Sequence, residues 1–189
     1  MVLLLAAALL VGGCSGSEAE PTGSGSPSVS GSPGVELPSG SESSEAAPSV
    51  GVPVPPSAMR SADEAGAEAF VRHYFALVNY AQATGDLEPL RAVSGAECSG
   101  CQAGVQWLEK VARKGWTIKG GSYGTRSETA VALSTAGRFR VSFTLSSPGQ
   151  KVLGPAGEVL KRYEGGSAEA VMRVRVSAGV WTVLFWETL

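Results

Sequence analysis

The sequence predicts an α+β domain: one long N-terminal helix and two shorter ones packed on a curved antiparallel sheet of four to five strands, a cone-like arrangement. Three observations predict it. Apolar side chains recur at helical spacing from Ala67 to Ala81. Apolar and polar residues alternate from Phe139 to Leu145 and again near the C-terminus. Every helical pattern precedes every strand pattern, whereas a parallel sheet would interleave them.

The elements follow in chain order. Val2 to Val11 is an unbroken run of Val, Leu and Ala. It is short for a membrane span, which needs roughly 20 apolar residues, and has the length of a signal-peptide core. Val11-Gly12-Gly13-Cys14 comes next. This tetrapeptide resembles the lipobox of bacterial lipoproteins, in which the cysteine receives a diacylglyceryl group before cleavage. Residues 1–13 are therefore expected to be a signal peptide and Cys14 the site of lipid attachment, with palmitate-type chains as the anchor. Signal peptides begin with Lys or Arg, and none precedes Arg60, so the natural start is expected upstream. Residues 15–60 hold Ser, Gly, Pro and Glu but no aromatic. Such a composition buries too little apolar surface to offset its ordering entropy and reads as a disordered linker. Forty-six residues of such coil span roughly 40 Å r.m.s.. The expected organisation is a signal peptide at 1–13, an acylated tether at 14–60 and a folded domain at 61–189.

Charge divides the same way: net −4 through residue 60 and net +2 beyond it. Neither value provides the concentrated basic surface that nucleic acid requires.

Ser61-Ala62-Asp63-Glu64 reads as a capping box with Ser61 as N-cap. The helix it opens is expected to run to about Thr84 and end at Gly85. Ala67, Phe70, Val71, Tyr74, Phe75, Leu77, Val78 and Ala81 cover a broad arc, and Ala69, Ala76 and Ala83 form a second stripe. Only Glu68, Arg72, Asn79 and Gln82 make a polar strip, so this helix is wrapped by other elements. Asp86 caps a short turn through "DLEPLRAV", and a third helix runs from Ser99 to about Lys114, stopping at Gly115.

Strands are expected at 128–135, 139–145, 169–177 and 180–188, with turns at Ala136-Gly137 and Ala178-Gly179. In the last strand Trp181, Val183 and Phe185 are expected on one face and Leu184 and Trp186 on the other. The Gly- and Pro-rich stretch 146–168 holds a further hairpin through "KVL" and "EVLKRY", while "GGSYGT" (120–125) follows a candidate strand but opens no helix and reads as a turn.

A long helix cradled by a curved sheet looks like the fold of the nuclear-transport-factor-2-like superfamily. The lipobox, the low-complexity tail, "GAEAFVRHYFALVNYAQATGDLEPL", "CSGC" and "VWTVLFWE" together resemble an uncharacterised family of actinobacterial lipoproteins. That resemblance implies a membrane lipoprotein and brings no known activity.

Three constellations carry candidate chemistry. Cys98-Ser99-Gly100-Cys101 opens a helix. A structural disulfide suits an exported protein, a redox centre would use the helix N-terminus to lower a thiolate pKa, and a zinc site lacks partners. The disulfide is the favoured reading, because helices flank the motif where a thioredoxin-like centre follows a strand. His73 and Tyr74, with Tyr80 and with Trp181 or Trp186, are candidates to line a pocket between helix and sheet. No acid–base partner can be placed beside His73, and catalysis of that kind needs a poised pair, so a half-buried histidine bonded to a backbone carbonyl is favoured. Arg138 and Arg140 share the polar side of one strand, and Arg173 and Arg175 that of another. Four guanidiniums on one face suit phosphate, whether of lipid headgroups or anionic wall polymer; a solubilising sheet face is the plainer reading.

No catalytic residue, metal ligand or cofactor is assigned. The expectation is a lipid-anchored, extracytoplasmic binding or interaction module on the cell membrane. Its partners would be membrane lipid through acylated Cys14 and an envelope protein or anionic wall polymer, with no nucleic acid. The alternatives are an enzyme with a pocket around His73, or a thiol–disulfide protein using Cys98 and Cys101. An open cavity of several hundred Å³ lined by His73 would favour the enzyme; a closed interior there favours binding.

Overall fold

The computed structural model describes residues 51–189. The expected signal peptide, Cys14 and the tether up to residue 50 lie outside the described residues.

A single 3-10 turn, Ser57–Arg60, precedes the first helix. The sequence places these residues in the tether. They are instead seated on the domain, because Met59 packs against the core and its carbonyl accepts the Trp181 Nε1–H at 2.8 Å. Helix α1 spans Glu64–Thr84. Its N-cap is Asp63, whose carboxylate accepts the Gly66 N–H at 2.8 Å, not the expected Ser61, which is extended. A carboxylate at this end also meets the positive pole of the helix dipole. Gly85 ends α1 in the left-handed conformation (φ 77°), as the sequence predicts. Helices α2 (Glu88–Val93) and α3 (Ser99–Arg113) follow.

Seven strands make two antiparallel sheets: β1 (Thr117–Gly120), β2 (Gly124–Ala132), β3 (Arg138–Ser147), β4 (Gln150–Leu153), β5 (Val159–Tyr163), β6 (Gly166–Ser177) and β7 (Val180–Thr188). The main sheet has the order β2-β3-β6-β7 and the smaller one β1-β4-β5. The α+β class and cone-like layout are those expected. The strand count is larger, since the 146–168 excursion pairs with residues just after α3 to build the second sheet.

One face of the main sheet, with Phe139, Val141, Phe143, Met172, Val174, Trp181 and Val183, packs on Phe70, Val71, Tyr74 and Phe75 of α1 to form the core. The polar strip of α1 is only partly solvated, at Arg72. Glu68 accepts the Ala130 N–H, Arg72 pairs with Glu128, Asn79 exchanges two hydrogen bonds of 2.8 Å with the Tyr123 backbone, and Gln82 accepts from Gln150. Each polar residue thus fastens the helix to β2, the loop before it, or β4. At the opposite edge, Gly95 N–H donates to the Val183 carbonyl, and Ser94 forms a bridge with the same residue.

A bulge in β7 decides which residues face which side. Arg173 pairs with Phe185 and Val174 with Val183, leaving Leu184 as the extra residue. Period-two alternation therefore breaks at this point. Trp186 turns toward α1, edge-on to Phe75 at 5.8 Å, and Phe185 turns to the outer face. The sequence places Phe185 with Trp181 and Val183, and Trp186 opposite them; the inserted residue reverses both. Among the described residues no helix is long and apolar enough to cross a membrane.

Candidate functional site

Between α1, α3, β1 and the end of β7 lies a cavity of about 120 Å³. Its wall is aromatic and aliphatic, with Tyr74, Phe75, Trp107, Tyr123 and Trp186 among its members, and Gln82 and Gln150 supply polar groups at its edge. Burial pushes the Tyr74 phenol up to about 12, with the nearby Ser94 and Trp186 side chains acting in the opposite direction. Tyr123 is raised as well, chiefly by burial. Trp186 Nε1 is buried yet closes no hydrogen bond, and Gly100 packs beside it.

The other expected pocket residues do not join Tyr74. His73 is only 6 % exposed and lines no part of the cavity. Burial holds its imidazole below its ordinary pKa, so it is neutral at pH 7. Tyr80 donates its hydroxyl proton to Asp86, whose other carboxylate oxygen accepts the Glu88 N–H at the start of α2. That hydrogen bond, with burial adding to it, raises the Tyr80 phenol. Trp181 stacks on Phe70 with ring centroids 5.6 Å apart and reaches Met59 rather than a cavity. Tyr80 and Trp181 thus tie elements together, whereas His73 is buried, not half-buried as expected, and its expected bond to a backbone carbonyl is not found among the described residues.

Cys98 and Cys101 stand at disulfide distance, with S–S 2.07 Å, at the first turn of α3. Cys98 also caps that helix through its sulfur, which accepts the Cys101 N–H. Both are at most 1 % exposed, and an exchange centre must offer its sulfur to an attacking thiolate. Replacing both with serine is expected to lower unfolding free energy by about 2 kcal/mol or less for so short a loop, measured by denaturant titration. Unchanged stability with loss of a thiol-exchange activity would return the redox alternative.

Pairing of β3 with β6 brings the four arginines together. Arg138 lies directly across from Arg175, and Arg140 from Arg173. They occupy the face opposite the core, since Phe139, Val141, Met172 and Val174 alternate with them inward. Arg173 lies over the Phe185 ring at 4.6 Å. Among the described residues no three His, Cys, Asp or Glu side chains gather as a metal-binding set.

Comparisons with known proteins address the fold. Residues 40–185 match a family of unknown function, DUF6318. No curated protein matches the chain. The intermembrane space region of the chloroplast protein ARC6 is similar in structure, with a TM-score of 0.52 and 15% identity over 67% of this chain and 96% of that one. An uncharacterized protein with a cystatin-like fold from Caulobacter vibrioides gives 0.41 and 12% over 65% and 84%. A putative scytalone dehydratase from Novosphingobium aromaticivorans gives 0.42 and 14% over 62% and 79%.

Proposed function

The chain belongs to the DUF6318 family of unknown function, and from that premise we propose that it is a membrane-anchored, extracytoplasmic lipoprotein whose folded domain is a non-catalytic binding module. One observation carries the non-catalytic reading: among the described residues, the wall of the helix–sheet cavity holds no acid–base pair poised near neutral pH. The cavity, at about 120 Å³, is smaller than the roughly 300 Å³ at which small-molecule sites begin. Its ionisable members are two phenols held above their ordinary pKa, and general acid–base work near neutral pH needs a group poised there. The lone histidine sits outside that wall in a closed environment. A cavity of this size accommodates one small aromatic or branched aliphatic group, as engineered apolar cavities of about 150 Å³ take benzene. It therefore suits a partner that inserts a single apolar side chain.

The anchor rests on Val11-Gly12-Gly13-Cys14 and on the Ser-, Gly- and Pro-rich stretch after it. Two or three acyl chains on one cysteine hold a protein on a bilayer where a single chain does not. Mass spectrometry of the protein extracted from envelope membranes is expected to find a chain beginning at Cys14 that carries a diacylglyceryl group. Recovery of an unacylated chain from the soluble fraction would overturn the proposed address.

A further inference from the structure

We propose that the outer face of the β2-β3-β6-β7 sheet docks on the surface of an anionic phospholipid bilayer, with Arg138, Arg140, Arg173 and Arg175 taking headgroup phosphates and Val131 and Leu133 entering the interfacial layer. The inference is independent of the reading above, because it concerns the folded domain whether or not Cys14 is acylated.

The charge arrangement comes first. Like charges directly opposite on neighbouring strands destabilise a sheet, and here two such pairs stand side by side. Among the described residues no carboxylate forms an ion pair with any of the four. None of their side chains makes a hydrogen bond to another described residue. All four are arginine, whose planar fork is geometrically matched to phosphate oxygens. Of the acids near this face, Glu169 is across from Thr144 and bonded to it, Glu187 is across from Val171, and Glu97 shares a groove with Arg138 and Arg173 without pairing to either.

The apolar neighbours decide between the two anionic partners. Val131 lies directly across from Arg140 and is 59 % exposed. Leu133, bonded through its backbone to Arg138, is 37 % exposed. Arg138, Arg173, Leu133, Leu184 and Phe185 line one open groove of about 470 Å³, whose single acid is Glu97. An anionic glycan polymer would use the guanidiniums and gain nothing from exposed Val and Leu. A bilayer interface takes both, the arginines at phosphate level and the apolar side chains just beneath.

The test uses the full chain with Cys14→Ser, so that no acyl chain contributes. Co-sedimentation is measured with vesicles of phosphatidylcholine alone and with vesicles containing phosphatidylglycerol, at low and high salt. The apolar run at 2–11 remains in every variant and cancels in the comparison. Arg138→Gln/Arg173→Gln is expected to reduce partitioning to anionic vesicles about 30-fold, since each basic residue near such a surface contributes about fivefold. Val131→Ser/Leu133→Ser should weaken binding while leaving its salt dependence in place. All four positions are exposed, so no variant should melt below the parent, and the arginine variant, which breaks both like-charge pairs, should melt at or above it. Equal binding to both vesicle types, or arginine variants that bind as the parent does, would overturn the proposal. So would retention on isolated anionic wall polymer that depends on the arginines but not on Val131 and Leu133.

Discussion

Phe70→Ala is expected to lower the unfolding free energy by about 3–5 kcal/mol, the range for deleting a fully buried aromatic ring. Phe70 has no exposed surface, and its ring stacks on Trp181, which in turn lies 5.7 Å from Phe139. The loss therefore combines the transfer free energy of the ring with a cavity between α1 and the sheet. Collapse into it is resisted on both sides, since α1 is fastened to β2 by Glu68 and Arg72. A domain of this size has about 5–15 kcal/mol in total, so the variant should be marginal at 37 °C. Urea titration followed by tryptophan fluorescence measures it. A loss below about 1 kcal/mol would mean that Phe70 is not at the centre of the packing.

Gly66→Ala is the second large effect, and its sign runs against local propensity. In an exposed helix the change would stabilise by about 1 kcal/mol. Here the new methyl would overlap the Ser61 carbonyl oxygen and lie 2.9 Å from Trp181 Cζ2. The obstacle is main chain on one side and a packed ring on the other, so the turn at Ser57–Arg60 must move away. That movement forfeits the Trp181–Met59 hydrogen bond, about 1 kcal/mol, and overpacking adds about 1–3 kcal/mol. The net result is a destabilisation of about 2 kcal/mol, read by thermal melting. A variant more stable than the parent would show that residues 57–61 are not seated against the helix.

Much of this layout was legible in the residues. The helix from position 64 to 84 announces itself through its long apolar arc and Gly85, and α3 through Cys101, Val105 and Leu108. The four strands of the main sheet are legible, although β2 lies at Gly124–Ala132 against the expected 128–135, and the hairpin of β4 and β5 is read from "KVL" and "EVLKRY" within a Gly- and Pro-rich stretch. The shared face of the four arginines was readable too, because two polar-side pairs on strands of opposite direction need only neighbouring positions to meet.

What escaped reading has physical reasons. Ser61 and Asp63 are both good caps, and the choice between them depends on the turn before α1 crossing its first residues. The strip Glu68, Arg72, Asn79 and Gln82 looks like a solvent face, because polarity in a sequence does not say whether the partner is water or a strand edge. Strand β1 is legible only as a strand before "GGSYGT", with no partner assigned, because it is short and its pairing with β4 spans thirty or more residues. The bulge at Leu184 left no signature either: no Gly or Pro interrupts "VWTVLFWET". It moved Trp186 into the cavity wall and Phe185 beneath Arg173, which is why the candidate pocket formed away from His73 and Trp181.

The fastening of both flanks of the main sheet limits how another molecule can approach. Glu68 occupies an amide on β2, and Gly95 and Ser94 occupy Val183 on β7. An incoming polypeptide therefore finds those rows of backbone groups interrupted and has no long template along which to add itself as a further strand. Strand addition at either border of the main sheet is thereby hindered at Ala130 and Val183, which leaves the exposed border strand β5 of the smaller sheet as the open one.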